Sequence, residues 1–156
     1  MSTDARILIR PATNSDRDTL KQLARRLADF ELAPWRTAHE IADADARAMI
    51  AAVAASRKND EVFIAERSGH EVGCLHILAT TDFFGRRHAH VSVIATSADA
   101  AGSGVGRALM EFAEAWSRER ELTMLTLNVF ASNTRARRFY EKSGMEPEVL
   151  KYVKEI

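Results

Sequence analysis

The stretch Ile94-Ala95-Thr96-Ser97-Ala98-Asp99-Ala100-Ala101-Gly102-Ser103-Gly104-Val105-Gly106-Arg107-Ala108-Leu109 decides how the chain is read. It begins inside a segment rich in β-branched residues, 89–96, which reads as a strand. It ends in a segment, 104–120, where Val105, Ala108, Leu109, Phe112 and Trp116 recur at helical spacing. On the opposite face, Arg107–Glu111 and Glu114–Arg118 place opposite charges four residues apart. Between strand and helix, Gly102, Gly104 and Gly106 let backbone N–H groups turn toward one point without Cβ obstruction. The helix adds unpaired donors and the positive end of its dipole. Together these form a site for a phosphate or pyrophosphate, although the same glycines would also serve a plain tight turn. Two other phosphate loops fit poorly. Arg107-Ala108 stands where a Walker loop needs Lys-Ser/Thr. A dinucleotide fingerprint starting at Gly102 needs a third glycine at position 107, which is arginine.

On the N-terminal side, 7–10 reads as a short strand closed by Pro11, which cannot donate to a ladder. Asn14, Ser15 and Asp16 offer caps for a helix carrying Leu20, Leu23, Leu27 and Phe30, ended by Pro34. A second helix is expected over 38–56, with Ile41, Ala44, Ala48 and Ala52 on one face. Residues 61–66 and 72–78 read as a hairpin turning at Ser68-Gly69. On the C-terminal side come a strand over 122–129, a helix over 133–143 ended by Gly144, and a last strand over 148–154. The order β-α-α-β-β-β-α-β-α-β, with a parallel crossover from 89 to 129, predicts a mixed α/β sheet with helices on both faces.

The chain of 156 residues suits one domain, 1–156, since nothing in it resembles a repeat or a linker. Hydrophobic residues at 46% and 22 basic against 22 acidic side chains describe a globular protein with no field for nucleic acid. Cys74 stands alone, so neither an internal disulfide nor a four-cysteine metal site is possible, and no metal is expected. The N-terminal segment, with Asp4, Arg6 and Arg10, lacks a signal-peptide core, and no apolar run is long enough for a membrane. A cytoplasmic protein is expected.

After Val129, residues Asn133, Ala136 and Tyr140 share one helical stripe. That stripe begins at the C-terminal edge of a strand, where open α/β sheets bind ligands. An amphipathic core face with a tyrosine hydroxyl reaching water would give the same pattern.

Residues 94–106 with Arg107-Ala108-Leu109 resemble the acyl-CoA signature of the GNAT superfamily of N-acetyltransferases. The run Asn133-Thr134-Arg135-Ala136-Arg137-Arg138-Phe139-Tyr140-Glu141-Lys142-Ser143-Gly144-Met145 resembles that family's second motif. Arg10-Pro11, the two leading helices and the final strand fit as well. The resemblance implies acetyl-CoA as acyl donor and a small-molecule or protein amine as acceptor. Family members often pair as homodimers. Backbone groups at Ile94 and Thr96 would bond the acetyl and pantetheine parts. The N–H groups of Ala101, Gly102, Ser103, Gly104, Val105 and Gly106 would hold the pyrophosphate. Asn133 would contact the pantetheine arm, and Tyr140 would lie near the thioester sulfur. Two departures stand out. The family usually has Arg or Gln where this chain has Ala101, which implies weaker cofactor binding. Many members carry a basic carboxylate near Ser92-Val93, and this chain has none.

Amide formation from a thioester needs a neutral amine, a donor to the carbonyl oxygen and a proton for the leaving thiolate. The backbone near Ile94 suits the second need. Tyr140, protonated at neutral pH, suits the third as general acid. For the first, alternation puts His90 on the face of Ser92, and histidine accepts a proton near neutrality. His88, His76 or a water chain are alternatives. His88 and His90 also suit a polar hairpin end after Gly85-Arg86-Arg87. Phe30, Glu31, Trp35, Phe83 and Phe84 are expected around the acceptor, with Asp29 and Glu31 suiting a cationic amine or a solvated helix end. A module that binds acetyl-CoA without turnover is the alternative function.

Overall fold

The computed structural model describes residues 6–156, so the reading that rests on Asp4 lies outside the described residues. The elements run β1 (Ile7–Pro11), α1 (Arg17–Ala24), α2 (Ala38–Ala55), β2 (Asp60–Arg67), β3 (His70–Thr81), β4 (Arg87–Thr96), α3 (Val105–Glu119), β5 (Leu125–Leu127) and α4 (Thr134–Lys142). The strands form one sheet in the order β1-β2-β3-β4-β5. Neighbours are antiparallel except β4 and β5, which run parallel, giving the expected mixed sheet. Ser68 and Gly69, at φ 52° and 77°, make the turn between β2 and β3, whose mirror-image twist suits a hairpin. Thr37 caps α2 by accepting a 3.1 Å bond from the Glu40 N–H, and Ser56 ends the helix at φ 47°.

Alternation along each strand divides the apolar side chains between two cores. Phe63, Ala65, Leu75 and Ile77 pack against Val105, Leu109, Ala113 and Trp116 of α3. Val62, Ile64 and Cys74 pack against Leu20, Leu23 and Met49 of α1 and α2. Burial raises the Cys74 thiol to about 12, so it stays protonated.

Ser92 interrupts this pattern. His76 pairs with Val93 and Ile77 with Val91, so Ser92 is the extra residue of a bulge in β4. Ala89 and Val91 lie in the α3 core, whereas Val93 and Ala95 lie in the α1–α2 core. Simple alternation is therefore broken between Val91 and Val93. His88 and His90, flanking Ala89, project to the side of α1 and α2.

Three further expectations are corrected. The first helix does not run unbroken to Phe30: α1 stops at Ala24 and tightens into a 3-10 turn over Arg25–Ala28. β5 is three residues long, not eight. The last strand does not form: residues 145–156 join no ladder, and Val149, Leu150 and Tyr152 are 80%, 72% and 88% exposed. A strand needs a neighbour for its N–H and C=O groups. The short β5 offers little edge, and Pro147 has no N–H to give.

Two contacts hold the layers in place. Arg10 donates from Nη1 and Nη2 to both Asp16 oxygens at 2.8 and 2.9 Å, and from Nε to Glu66 at 2.7 Å. Thr13 N–H adds a 2.7 Å bond to Asp16, so the buried carboxylate ties β1 and β2 to the entry of α1. The guanidinium holds the Asp16 carboxyl below its usual 3.8. On the other face, Gly73 of β3 lets α3 approach. A Cβ there would lie 2.9 Å from the Ala95 carbonyl oxygen and 3.0 Å from Val105 Cγ1.

Asp16→Asn is expected to lose about 3 kcal/mol in urea denaturation at pH 7, because it removes the two-pronged partner of the partly buried Arg10 and leaves it only Glu66. In the native protein the Asp16 contribution is complete above pH 3.8 and is lost as pH falls through the lower folded value; the variant lacks that acid-dependent loss. Gly73→Val is expected to cost about 2 kcal/mol by overpacking, with amide resonances of the first α3 turn shifted.

Candidate functional site

β4 and β5 pair only along Ala89–Leu125, His90–Thr126 and Val91–Leu127. Beyond that, β4 continues through the bulge to Thr96 while β5 has ended. Ser97 N–H bonds to Val72 O at 2.9 Å, so by antiparallel alternation Val93, Ala95 and Ser97 direct their backbone groups to β3. Ile94 and Thr96 direct theirs to the other side, where β5 no longer runs. Their N–H and C=O groups border a gap in the sheet, which is where the sequence expects the acyl arm. Arg26, just after α1, donates from Nε to Thr96 O at 3.2 Å, taking up one acceptor position on that carbonyl.

The glycine loop closes one end of the gap. Gly102 at φ 73° and Gly104 at φ 88° take left-handed conformations that side chains disfavour. Not every donor of the loop is available. Ala101 N–H is committed to Ala98 O at 3.4 Å and Ser103 N–H to Ala100 O at 3.2 Å. These two residues shape the turn. The first bond of α3 is Ala108 N–H to Gly104 O at 3.0 Å, so the N–H groups of Val105, Gly106 and Arg107 lie ahead of the helical ladder. Among the described residues those of Gly102 and Gly104 also find no backbone acceptor. Arg67, the last residue of β2, donates to the Ser103 hydroxyl at 3.0 Å and to its carbonyl at 2.7 Å.

α4 packs against the start of α3. A Cβ on Gly106 would stand 3.3 Å from Phe139 Cζ, so the start of α3 and the body of α4 touch. Asn133 is the N-cap of α4: its Oδ1 accepts from Ala136 N–H at 3.2 Å, which leaves its NH2 group free to donate. Tyr140 lies two turns along the same stripe and packs edgewise on Phe139 with ring centroids 5.4 Å apart. Burial raises its phenol to about 12.

On the α1–α2 face of the sheet, His90 Nδ1 lies 2.8 Å from Thr126 Oγ1, across the β4–β5 pair. Thr126 Oγ1 in turn lies 3.4 Å from Ala89 O. Burial, then His88, then His76 hold the His90 pKa below 6.5. His88 Nδ1 rests 3.2 Å from Arg86 O, and His76 Nε2 meets Asp60 at 2.8 Å in a partly buried pair. Across from them, burial holds the Asp45 carboxyl of α2 above its usual value against the opposing influence of His76. His76 is thus engaged structurally, while His90 reaches the strand that borders the gap.

The expected acceptor residues separate into two groups. Phe30 meets Phe130 from the β5–α4 connection, with ring centroids 5.5 Å apart. Phe83 and Phe84 instead stand 96% and 86% exposed at the β3–β4 hairpin tip, away from any core. Asp29 is paired with Arg26. Sequence reading missed Thr126, Arg26 and Arg67. Their contacts span 36 or more residues, and no local motif announces them.

Comparison with known proteins gives a consistent picture. The sequence model described as the acetyltransferase (GNAT) family matches residues 20–145. A search of curated protein sequences finds no match. Among solved structures, a transcriptional regulator from Bacillus halodurans C-125 is 25% identical with a TM-score of 0.71, covering 97% of this chain and 100% of that one. A ribosomal-protein-alanine N-acetyltransferase from Brucella melitensis biovar Abortus 2308 shares the fold at 20% identity and TM-score 0.69, covering 97% and 100%. An aminoglycoside N-acetyltransferase in complex with CoA shares it at 15% identity and TM-score 0.72, covering 100% and 99%. Among the described residues, no helix is long and apolar enough to cross a membrane.

Proposed function

Because the chain belongs to the GNAT acetyltransferase family, we propose that it moves an acetyl group from acetyl-CoA to a primary amine of a small molecule or protein, by direct attack with Tyr140 as general acid. The observation that carries this reading is the backbone edge at Ile94 and Thr96 that no strand pairs, facing the gap where β5 has ended. A pantetheine arm, which carries its own amides, takes those bonds as a neighbouring strand would. The free N–H groups at Gly102, Gly104, Val105 and Gly106 suit the pyrophosphate, with Ala101 and Ser103 shaping the turn. Asn133 keeps an NH2 donor for the arm.

The donor supplies a thioester whose C–S bond breaks as the new C–N bond forms. The Ile94 N–H donates to the carbonyl oxygen as negative charge builds there. Tyr140, kept protonated by burial, gives its proton to the departing sulfur. His90 takes the proton of the amine. With its Nδ1–H donated to Thr126 Oγ1, and the threonine hydroxyl turned toward Ala89 O, the lone pair at Nε2 is left to accept. A pKa below 6.5 keeps that ring neutral at pH 7. Both residues return to their starting states by exchange with water.

A second reading, a module that holds acetyl-CoA without turnover, draws on Ser92: the bulge exposes it, and it brings no carboxylate to the site. Incubation with acetyl-CoA and a panel of amines, followed by thiol release, separates the two. Amine-dependent release supports the enzyme; binding without release for any amine supports the module.

Tyr140→Phe is expected to lower kcat roughly 100-fold or more, with acetyl-CoA affinity little changed in calorimetry. The neutral form of His90 is the active one, so kcat/KM should fall on the acid side only below pH 6.5, and His90→Gln should abolish that limb.

A further inference from the structure

Arg67 ends β2 at the edge of the glycine loop and makes two bonds to one residue of it, Nη1 to Ser103 Oγ at 3.0 Å and Nη2 to Ser103 O at 2.7 Å. Ser103 is held again from within the loop, where its N–H and its hydroxyl both turn to the Ala100 carbonyl. We propose that Arg67 is the positioning residue of the pyrophosphate loop, clamping the Ser103 carbonyl so that the Gly104 N–H is aimed at the anion.

The peptide joining Ser103 to Gly104 is trans. The Ser103 C=O and the Gly104 N–H belong to one rigid plane and point in opposite directions. A carbonyl directed into an anion site repels the phosphate, and the φ of 88° at Gly104 shows a backbone with the freedom to turn either way. Drawing the carbonyl onto a guanidinium removes that freedom and fixes the donor on the far side. The guanidinium also brings charge. Among the described residues no carboxylate pairs with Arg67, since the adjacent Glu66 is taken by Arg10, and the Arg67 Nε is buried without a partner. A whole positive charge therefore stands behind the loop, where it favours a bound diphosphate. The chain has Ala101 in the loop itself, so a cation arriving from β2 does in space what no side chain of the loop does.

This inference rests on the reading that the loop binds the pyrophosphate of CoA. The test is calorimetric titration of CoA into the full chain, the Arg67→Met variant and the Arg67→Lys variant, with melting temperature and the Gly104 amide resonance recorded without ligand. Arg67→Met should weaken CoA about tenfold or more, shift the Gly104 resonance and leave the melting temperature nearly unchanged. Arg67→Lys, which keeps the charge and one donor but not the two-pronged clamp, should fall between. Unchanged CoA affinity in Arg67→Met overturns the proposal while leaving the functional reading intact. Should Arg67→Met fail to fold, native affinity in Arg67→Lys overturns it equally. Failure of the unaltered chain to bind CoA overturns both together.

Discussion

A strand's N–H and C=O groups are ordinarily taken by the strand beside it, and in this protein that neighbour is missing along one stretch of the sheet. β4 pairs with β3 along its length, but with β5 only from Ala89 to Val91. The bulge at Ser92 and the end of β5 at Leu127 then leave Ile94 and Thr96 with backbone groups facing no strand. The remainder of the structure arranges itself around that opening. α3 begins beyond the end of β4 with uncommitted donors, and α4, which touches the start of α3 through Phe139, carries Asn133 and Tyr140 on a single stripe.

The bulge has a second consequence. By inserting one residue, it exchanges the two faces of β4, so that Val91 serves the α3 core and Val93 the α1–α2 core. On the α1–α2 side His90 meets Thr126 across the β4–β5 pair, and Phe30 meets Phe130. The two packed layers thus serve different tasks. The α3 layer, admitted closely by Gly73, sets the position of the loop donors. The α1–α2 layer, anchored through Arg10 and Asp16, covers the face of the sheet that holds the histidines.

Charged side chains from distant parts of the chain secure the rim of the site. Arg26 reaches the Thr96 carbonyl and Arg67 reaches Ser103. Both are arginines at the ends of elements, long enough to bridge from one layer to the next. Neither sits in a motif. Their placement depends on the 3-10 turn after α1 and on the register of β2, two features that arise only when the layers are assembled.

Local spacing was enough to determine the glycine loop, the stripe of Asn133 and Tyr140, the helices α2, α3 and α4, and the Ser68-Gly69 hairpin. Each depends on periodicity or on turn chemistry within a few residues, and such signals survive in a linear string. Tertiary structure decided the rest. A bulge is invisible in sequence because Val91-Ser92-Val93 alternates in residue type as an ordinary strand would; only pairing with His76 and Ile77 shows the extra residue. The apolar pattern at 148–154 suits a strand, yet without a neighbouring edge long enough to take its hydrogen bonds it forms none. In the same way, which donors of the loop stay free was settled by the carbonyls of Ala98 and Ala100, and which arginine supports it by a contact across 36 residues.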